Sequence, residues 1–169
     1  MVTQAFGVSV FVNLVVDIAD LAVTDDKRAT VITHSLGSCI GVTLWDPQVR
    51  VGGMIHFMLP DSSLSPDKAK ANPAMFANSG VPALFRAAYE LGAVKKRMVV
   101  KVAGGSQLLD DKGTFNIGKR NYIMIRKLFW KNGILIDGED VGGSISRTIR
   151  LEVGNGRVTL KTRDGESEL

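Results

Sequence analysis

Cys39 is the only cysteine of this 169-residue chain, and His34 and His56 are its only histidines. A thiol attacks as its thiolate, yet a free cysteine with a pKa of about 8.5 stays mostly protonated at neutral pH. A histidine within hydrogen-bond reach takes that proton and later returns one to a leaving group. A third group bonded to the other ring nitrogen fixes tautomer and orientation, and a threonine hydroxyl does this without a carboxylate. Thr33, Cys39 and His56 are the residues whose types and spacing suit that division of labour.

Their placement depends on the strands around them. Residues 40–45 and 52–57 are apolar runs joined through Asp46-Pro47-Gln48-Val49, with Asp and Pro at favoured turn positions. If the turn takes residues 46–49, paired residue numbers sum to roughly 95. That register sets Cys39 opposite His56, with Cβ atoms about 5 Å apart. Thr33 enters the same extended segment six residues before Cys39 and reaches toward the distal nitrogen of the His56 ring. A bulge at Gly52-Gly53 would turn His56 to the other face. The Gly37-Ser38 bend aims backbone N–H groups at the oxyanion of a tetrahedral intermediate.

Other readings stay open at this level. A buried cysteine is often no more than a small hydrophobe. His34 is an alternative base, although an extended strand puts it on the face opposite Thr33. A metal centre fits poorly, because Cys39, His34 and His56 fall short of the ligand set a structural zinc takes.

Residues 33–40, Asp46, and residues 53–60, 101–105, 116–121 and 140–147, in that order, resemble the CheD family of chemotaxis proteins. The resemblance runs through most of the chain from Val15 onward. It implies a glutamine amidohydrolase that converts selected glutamines of chemoreceptors to glutamate, with glutamyl methyl esters as further substrates. Matched residue by residue, the implied catalytic trio is Cys39, His56 and Thr33, with Gly37, Ser38, Gly104 and Gly105 around a substrate or partner cleft. No metal or organic cofactor is implied. The family also binds and stimulates CheC-type response-regulator phosphatases, so the alternative function is a regulatory module with catalysis secondary. One segment departs from the family: Ser106-Gln107-Leu108-Leu109 stands where methionine and phenylalanine follow the two glycines, near the partner-binding surface.

Composition narrows the classes. With 45% hydrophobic and 22% charged residues the chain reads as one globular domain over 1–169, frayed at 1–12 and 164–169. A lone cysteine rules out an internal disulfide and fits a reducing, cytoplasmic setting. Residues 8–16 are apolar but include Asn13 and follow no basic residue, so they read as a strand and not as a signal peptide. No segment is long enough to span a membrane. The net charge of +4 gathers at Lys95-Lys96-Arg97, Lys119-Arg120 and Arg126-Lys127. No aromatic residues interleave these clusters in a stacking pattern, so a nucleic-acid partner is not expected. A basic rim of this kind suits an acidic protein surface, and a monomer is expected.

Further strands are expected at 29–34, 97–102 and 134–137, with a final hairpin of 147–153 and 158–162. Apolar spacing predicts a helix from Ser79 to Leu91 and a second one with Asn116 as N-cap and Gly133 at its end. Residues 59–73 read as a polar loop and 140–143 as a turn. The order gives a mixed α/β (α+β) domain whose helices cover sheet faces. The resemblance implies a layered α/β/β/α arrangement, similar to the catalytic domain of cytotoxic necrotizing factor toxins, which also deamidate glutamine.

Overall fold

The computed structural model describes residues 10–108 and 115–169. The elements in chain order are β1 (Val12–Val15), β2 (Asp20–Thr24), β3 (Ala29–Leu36), β4 (Ile40–Asp46), β5 (Val51–Phe57), α1 (Pro66–Ala71) and α2 (Ala77–Glu90). They continue with β6 (Val99–Gly104), α3 (Ile117–Asn132), β7 (Gly138–Val141), β8 (Arg147–Glu152), β9 (Val158–Thr162) and β10 (Gly165–Glu168). The strands form two five-stranded sheets, ordered β1-β3-β8-β9-β10 and β2-β5-β4-β6-β7. Each is mixed, because β1 runs parallel to β3 and β7 parallel to β6 while the other pairs are antiparallel. This is the mixed α+β domain with two main helices that the element order predicts. None of the described helices is long and apolar enough to cross a membrane.

Two apolar layers hold it together. On one face of the second sheet, Val42, Ile55 and Val102 pack against Leu84 and Phe85 of α2 and Ile125 and Phe129 of α3. On its other face, Met54 and Ala103 meet Val31, Leu36, Ile149 and Leu151 of the first sheet. Strands β4 and β5 are therefore covered on both sides, which is why their sequences run apolar without alternation. Strand β8 alternates buried with half-buried residues, because only its inward side is covered. With α2 and α3 together on one sheet, the described layers run α/β/β. The outer helical layer of an α/β/β/α pattern has no counterpart among the described residues.

Several boundaries move for identifiable reasons. Helix α2 starts at Ala77, ahead of Ser79, because the Ala77 amide donates to the Leu59 carbonyl at 2.9 Å; Pro82 then sits inside the helix. The expected loop 59–73 contains α1, with Pro66 at a helical first-turn position. Residues 134–137 are not a strand. The Asp137 carboxylate takes the Val100 amide at 2.7 Å, and parallel pairing with β6 begins only at Gly138. The C-terminal residues, expected to fray, form β10 on the edge of β9, with Glu168 3.1 Å from Arg157.

The β4–β5 connection is anchored by a buried carboxylate. Asp46 is fully buried and accepts from the amides of Gln48 at 2.9 Å and Val94 at 2.8 Å and from Arg97 at 2.7 Å. Burial pushes its pKa up, but Arg97 and the two amides outweigh that and hold it below the usual carboxylate range. Replacing Asp46 with alanine strands the Val94 amide and removes the partner of Arg97. Urea denaturation of Asp46→Ala is expected to show a loss of about 3 kcal/mol, the lower end for breaking such a pair. A loss below about 1 kcal/mol, as for an exposed pair, would contradict the anchoring role.

Candidate active site

Strands β4 and β5 pair Ile40 with Phe57 and Gly41 with His56. The connection is residues 47–50, closed by the Arg50 amide donating to the Asp46 carbonyl at 2.8 Å with Arg50 at φ 53°. The register is thus two residues away from the one expected: Gly41, not Cys39, lies opposite His56. A slip of two preserves the face of every side chain, whereas a slip of one would invert it. Cys39 and His56 consequently still point to the same side, as diagonal neighbours, and no bulge interrupts the ladder at Gly52-Gly53. Cys39, half-buried, packs on the apolar cluster between the sheets.

Thr33 comes from the other sheet. It lies on β3, inward-facing and fully buried, and is not on the strand that Cys39 opens. Between them Ser35 turns at φ 57° and the β3–β8 ladder shifts register, which carries the chain across to β4. His34, the alternative base, is exposed on the outer side.

The Thr33 hydroxyl sits 2.7 Å from the Val16 carbonyl and 2.7 Å from His56 Nδ1. A hydroxyl has one hydrogen, and a carbonyl can only accept. The Thr33 O–H therefore donates to Val16, and His56 Nδ1–H donates to Thr33. This fixes the tautomer and leaves Nε2 with a free lone pair. Nε2 is buried and has no hydrogen-bond partner among the described residues, so its lone pair is free to accept a proton. Burial drives the His56 pKa down to about 4, against the pull of the Asp17 carboxylate. Burial pushes the Cys39 thiol up, offset in part by its own backbone amide. Both shifts favour the neutral forms, a thiol at Cys39 and an unprotonated imidazole at His56.

Cys39 opens onto a cleft of about 390 Å³. Ser35, Gly37 and Ser38 form one side, Ser106, Gln107 and Leu108 the other, and Ile117 and Gly118 of α3 close the end. Gly37 and Ser38 line the cleft. Gly104 and Gly105 lie behind it. The Gly105 amide donates to the Cys39 carbonyl at 2.8 Å, and at Gly104, where φ is 110°, a Cβ would run into that same carbonyl. Their role is close backbone approach, which holds the Cys39 backbone from the rear.

Two further residues escaped the sequence reading. Asn121, fully buried on α3, donates to the carbonyls of Ser38 at 3.0 Å and Met58 at 2.8 Å. Those carbonyls flank the point where the β4–β5 ladder ends, so the amide clips together the chain segments that carry Cys39 and His56. An asparagine in phase with Ile125 and Phe129 on a buried helix face was the available signal. Arg147, 4% exposed, pairs with Asp140 at 2.7 Å and donates to Ser106 Oγ at 2.6 Å, fixing the cleft wall to both sheets. Asn116 does not cap α3 with its side chain; it is left-handed at φ 48°, and its side-chain oxygen accepts from Gln107 at 2.6 Å.

Residues 58–162 match the family model described as CheD chemotactic sensory transduction. A "Probable chemoreceptor glutamine deamidase CheD 1" of Syntrophus aciditrophicus is 52% identical over 153 residues, which cover 90% of this chain and 96% of the relative. A "Probable chemoreceptor glutamine deamidase CheD 2" of Anaeromyxobacter dehalogenans is 49% identical over 149 residues, 88% of this chain and 94% of the relative. Among solved structures, a Neisseria meningitidis protein of family DUF152 superposes with a TM-score of 0.42 at 11% identity, over 79% of this chain and 63% of its own.

The buried neutral pair sets a stability profile. The folded His56 pKa of about 4 lies below its ordinary 6.5, so between those values the unfolded chain binds the extra proton. Stability therefore rises with pH across that window. The Cys39 pKa is raised above 9.0, so the folded chain holds its proton longer and stability falls again at higher pH. Urea midpoints measured from pH 4 to 10 are expected to show that plateau, with the acid slope flattened in His56→Gln. An unchanged slope in that variant would contradict a buried neutral His56.

Proposed function

The chain belongs to the CheD family, and on that premise we propose that it hydrolyses the side-chain amide of glutamines on chemoreceptors, with Cys39 as nucleophile. The observation that carries the reading is the buried His56 ring, locked by Thr33 so that its unprotonated Nε2 is turned to the same side as Cys39.

In the proposed reaction the glutamine side chain enters the Cys39 cleft. Sγ attacks the carboxamide carbon while the thiol proton passes to His56 Nε2, giving a tetrahedral intermediate. His56, now an imidazolium, keeps its Nδ1–H on Thr33 and gives the Nε2 proton to the amine. The C–N bond breaks, ammonia leaves and a thioester remains. Water then attacks the thioester carbon and yields a proton to Nε2. The C–S bond breaks, the carboxylic acid forms and the thiol is restored from His56. A glutamyl methyl ester could follow the same course with methanol as leaving group. Because both partners start neutral, attack and proton transfer are coupled, and charge arises in the cleft only when substrate is present.

The test is peptide mass mapping of amide-to-acid conversion on purified chemoreceptor signalling domains. The native protein is expected to convert specific glutamines, and Cys39→Ala to convert none. Thr33→Val, which frees the tautomer, is expected to lose about 10²-fold in kcat, the lower end for a positioned acid–base group. The acid limb of kcat/KM should lie near the His56 value of about 4, well below 6.5. Conversion by Cys39→Ala, or none by the native protein, would overturn the proposal.

A further inference from the structure

Three successive carbonyls at the nucleophile each take one donor. The Gly37 carbonyl accepts from the Ser106 amide at 2.8 Å, that of Ser38 from Asn121 Nδ2 at 3.0 Å and that of Cys39 from the Gly105 amide at 2.8 Å. The outer two donors are backbone groups just past the end of β6, whereas the middle one is a side chain of α3. A trans peptide is planar, with its N–H opposed to its C=O, and no peptide bond among the described residues is cis. Holding a carbonyl therefore also sets the direction of the N–H that shares its plane. The plane that holds the Ser38 carbonyl carries the Cys39 N–H. Strand pairing stops at Leu36 and resumes at Ile40, so no ladder takes this amide. Its one acceptor among the described residues is the sulfur of Cys39 itself, whose ionisation it favours.

Asn121 is built to hold that plane still. It lies one turn into α3 and is fully buried. The helix stands directly on the turn after β6, where a Cβ at Gly118 would run into the Gly105 carbonyl. Both side-chain hydrogens are spent, on the Ser38 carbonyl and on that of Met58 at 2.8 Å. Two acceptors on one side settle which way the amide faces, since its oxygen could bond neither. Oδ1 is left buried without a partner among the described residues. An orphaned buried acceptor is destabilising, yet this position, in phase with Ile125 and Phe129, keeps it for the sake of two donors.

We propose that Asn121 is a positioning residue for the reaction: by holding the Ser38 carbonyl it turns the Cys39 N–H onto the sulfur where negative charge arises. The inference rests on the function proposed above and adds a residue that touches neither substrate nor reacting atoms. Thiol reactivity is read first, because it needs no substrate: the rate of Cys39 alkylation by iodoacetamide is followed against pH by mass spectrometry. In Asn121→Leu, similar in size but without donors, the midpoint is expected to move to higher pH, because a hydrogen bond to the charged form is lost. The rate at pH 8 then falls about tenfold, as for one hydrogen bond to a charged group, while the alkaline plateau stays. On a chemoreceptor signalling domain kcat is expected to fall about 10²-fold with KM in place, as when one donor to developing charge is removed. Asn121→Ser, which keeps a hydroxyl donor, is expected to lie between Leu and the native residue in both readings. A folded Asn121→Leu with the native alkylation profile and kcat would overturn the proposal. So would unfolding of both variants, which would assign the amide to the fold alone. A shifted alkylation profile beside a native protein that converts no glutamine would uphold the positioning and overturn the deamidase reading, so the two failures are distinguishable.

Discussion

The hydrogen bond between Thr33 and His56 joins two sheets, and the candidate site exists only because those sheets are stacked in one register. Thr33 faces inward from β3 and His56 inward from β5, so each meets the other across the apolar layer between the sheets. A one-residue slip of either strand would send its side chain to the opposite face. The layer of Val31, Leu36, Met54, Ile149 and Leu151 therefore does more than bury area: it holds a threonine hydroxyl at hydrogen-bond distance from a ring nitrogen. The Val16 carbonyl completes the chain of donors by taking the only hydroxyl hydrogen, and so decides which nitrogen stays bare.

Around that bond the backbone is held from several directions. Gly104 and Gly105 press the end of β6 against the Cys39 carbonyl, and Asn121 bridges the strand ends on either side of the pair. The Asp140–Arg147–Ser106 chain ties the cleft wall to both sheets. These contacts place polar groups where burial would otherwise be costly, and their donors are satisfied by backbone carbonyls, a hydroxyl or a charged partner, while Asn121 Oδ1 stays buried without a partner among the described residues. The result is a half-buried thiol and a buried imidazole on the same side of the hairpin, both shifted toward their neutral forms. Such a pair is less open to adventitious oxidation than a standing thiolate, since the thiolate is the reactive form.

Much of this could be read from the chain, though not by the route that geometry first suggested. The hairpin that brings Cys39 and His56 to one face was visible because apolar runs flanked a turn, and facing survives an error of two residues. The register itself was not legible, because it turns on Arg50 adopting a left-handed conformation after a connection of residues 47–50. Thr33 was named correctly for the hydrogen bond but placed on the wrong strand. The crossing between sheets depends on Ser35 at φ 57° and a bulge opposite β8, and neither has a distinctive sequence signal. Arg147 acts through long-range contacts that local pattern does not encode, and the one signal for Asn121 was its phase with the buried face of its helix. The apolar runs, by contrast, were legible as strands, and the two helices followed from their spacing.

The account turns on the protonation state of one ring. Long-range ¹H–¹⁵N NMR of His56 in the resting protein, followed through a pH titration, reads it directly. The structure predicts a neutral ring protonated at Nδ1 and bare at Nε2 from pH 8 down to about 4, with the tautomer preference weakened in Thr33→Val. A ring protonated at Nε2, or an imidazolium at pH 7, would contradict the account. Cys39 would then face a donor where the proposed chemistry needs a base.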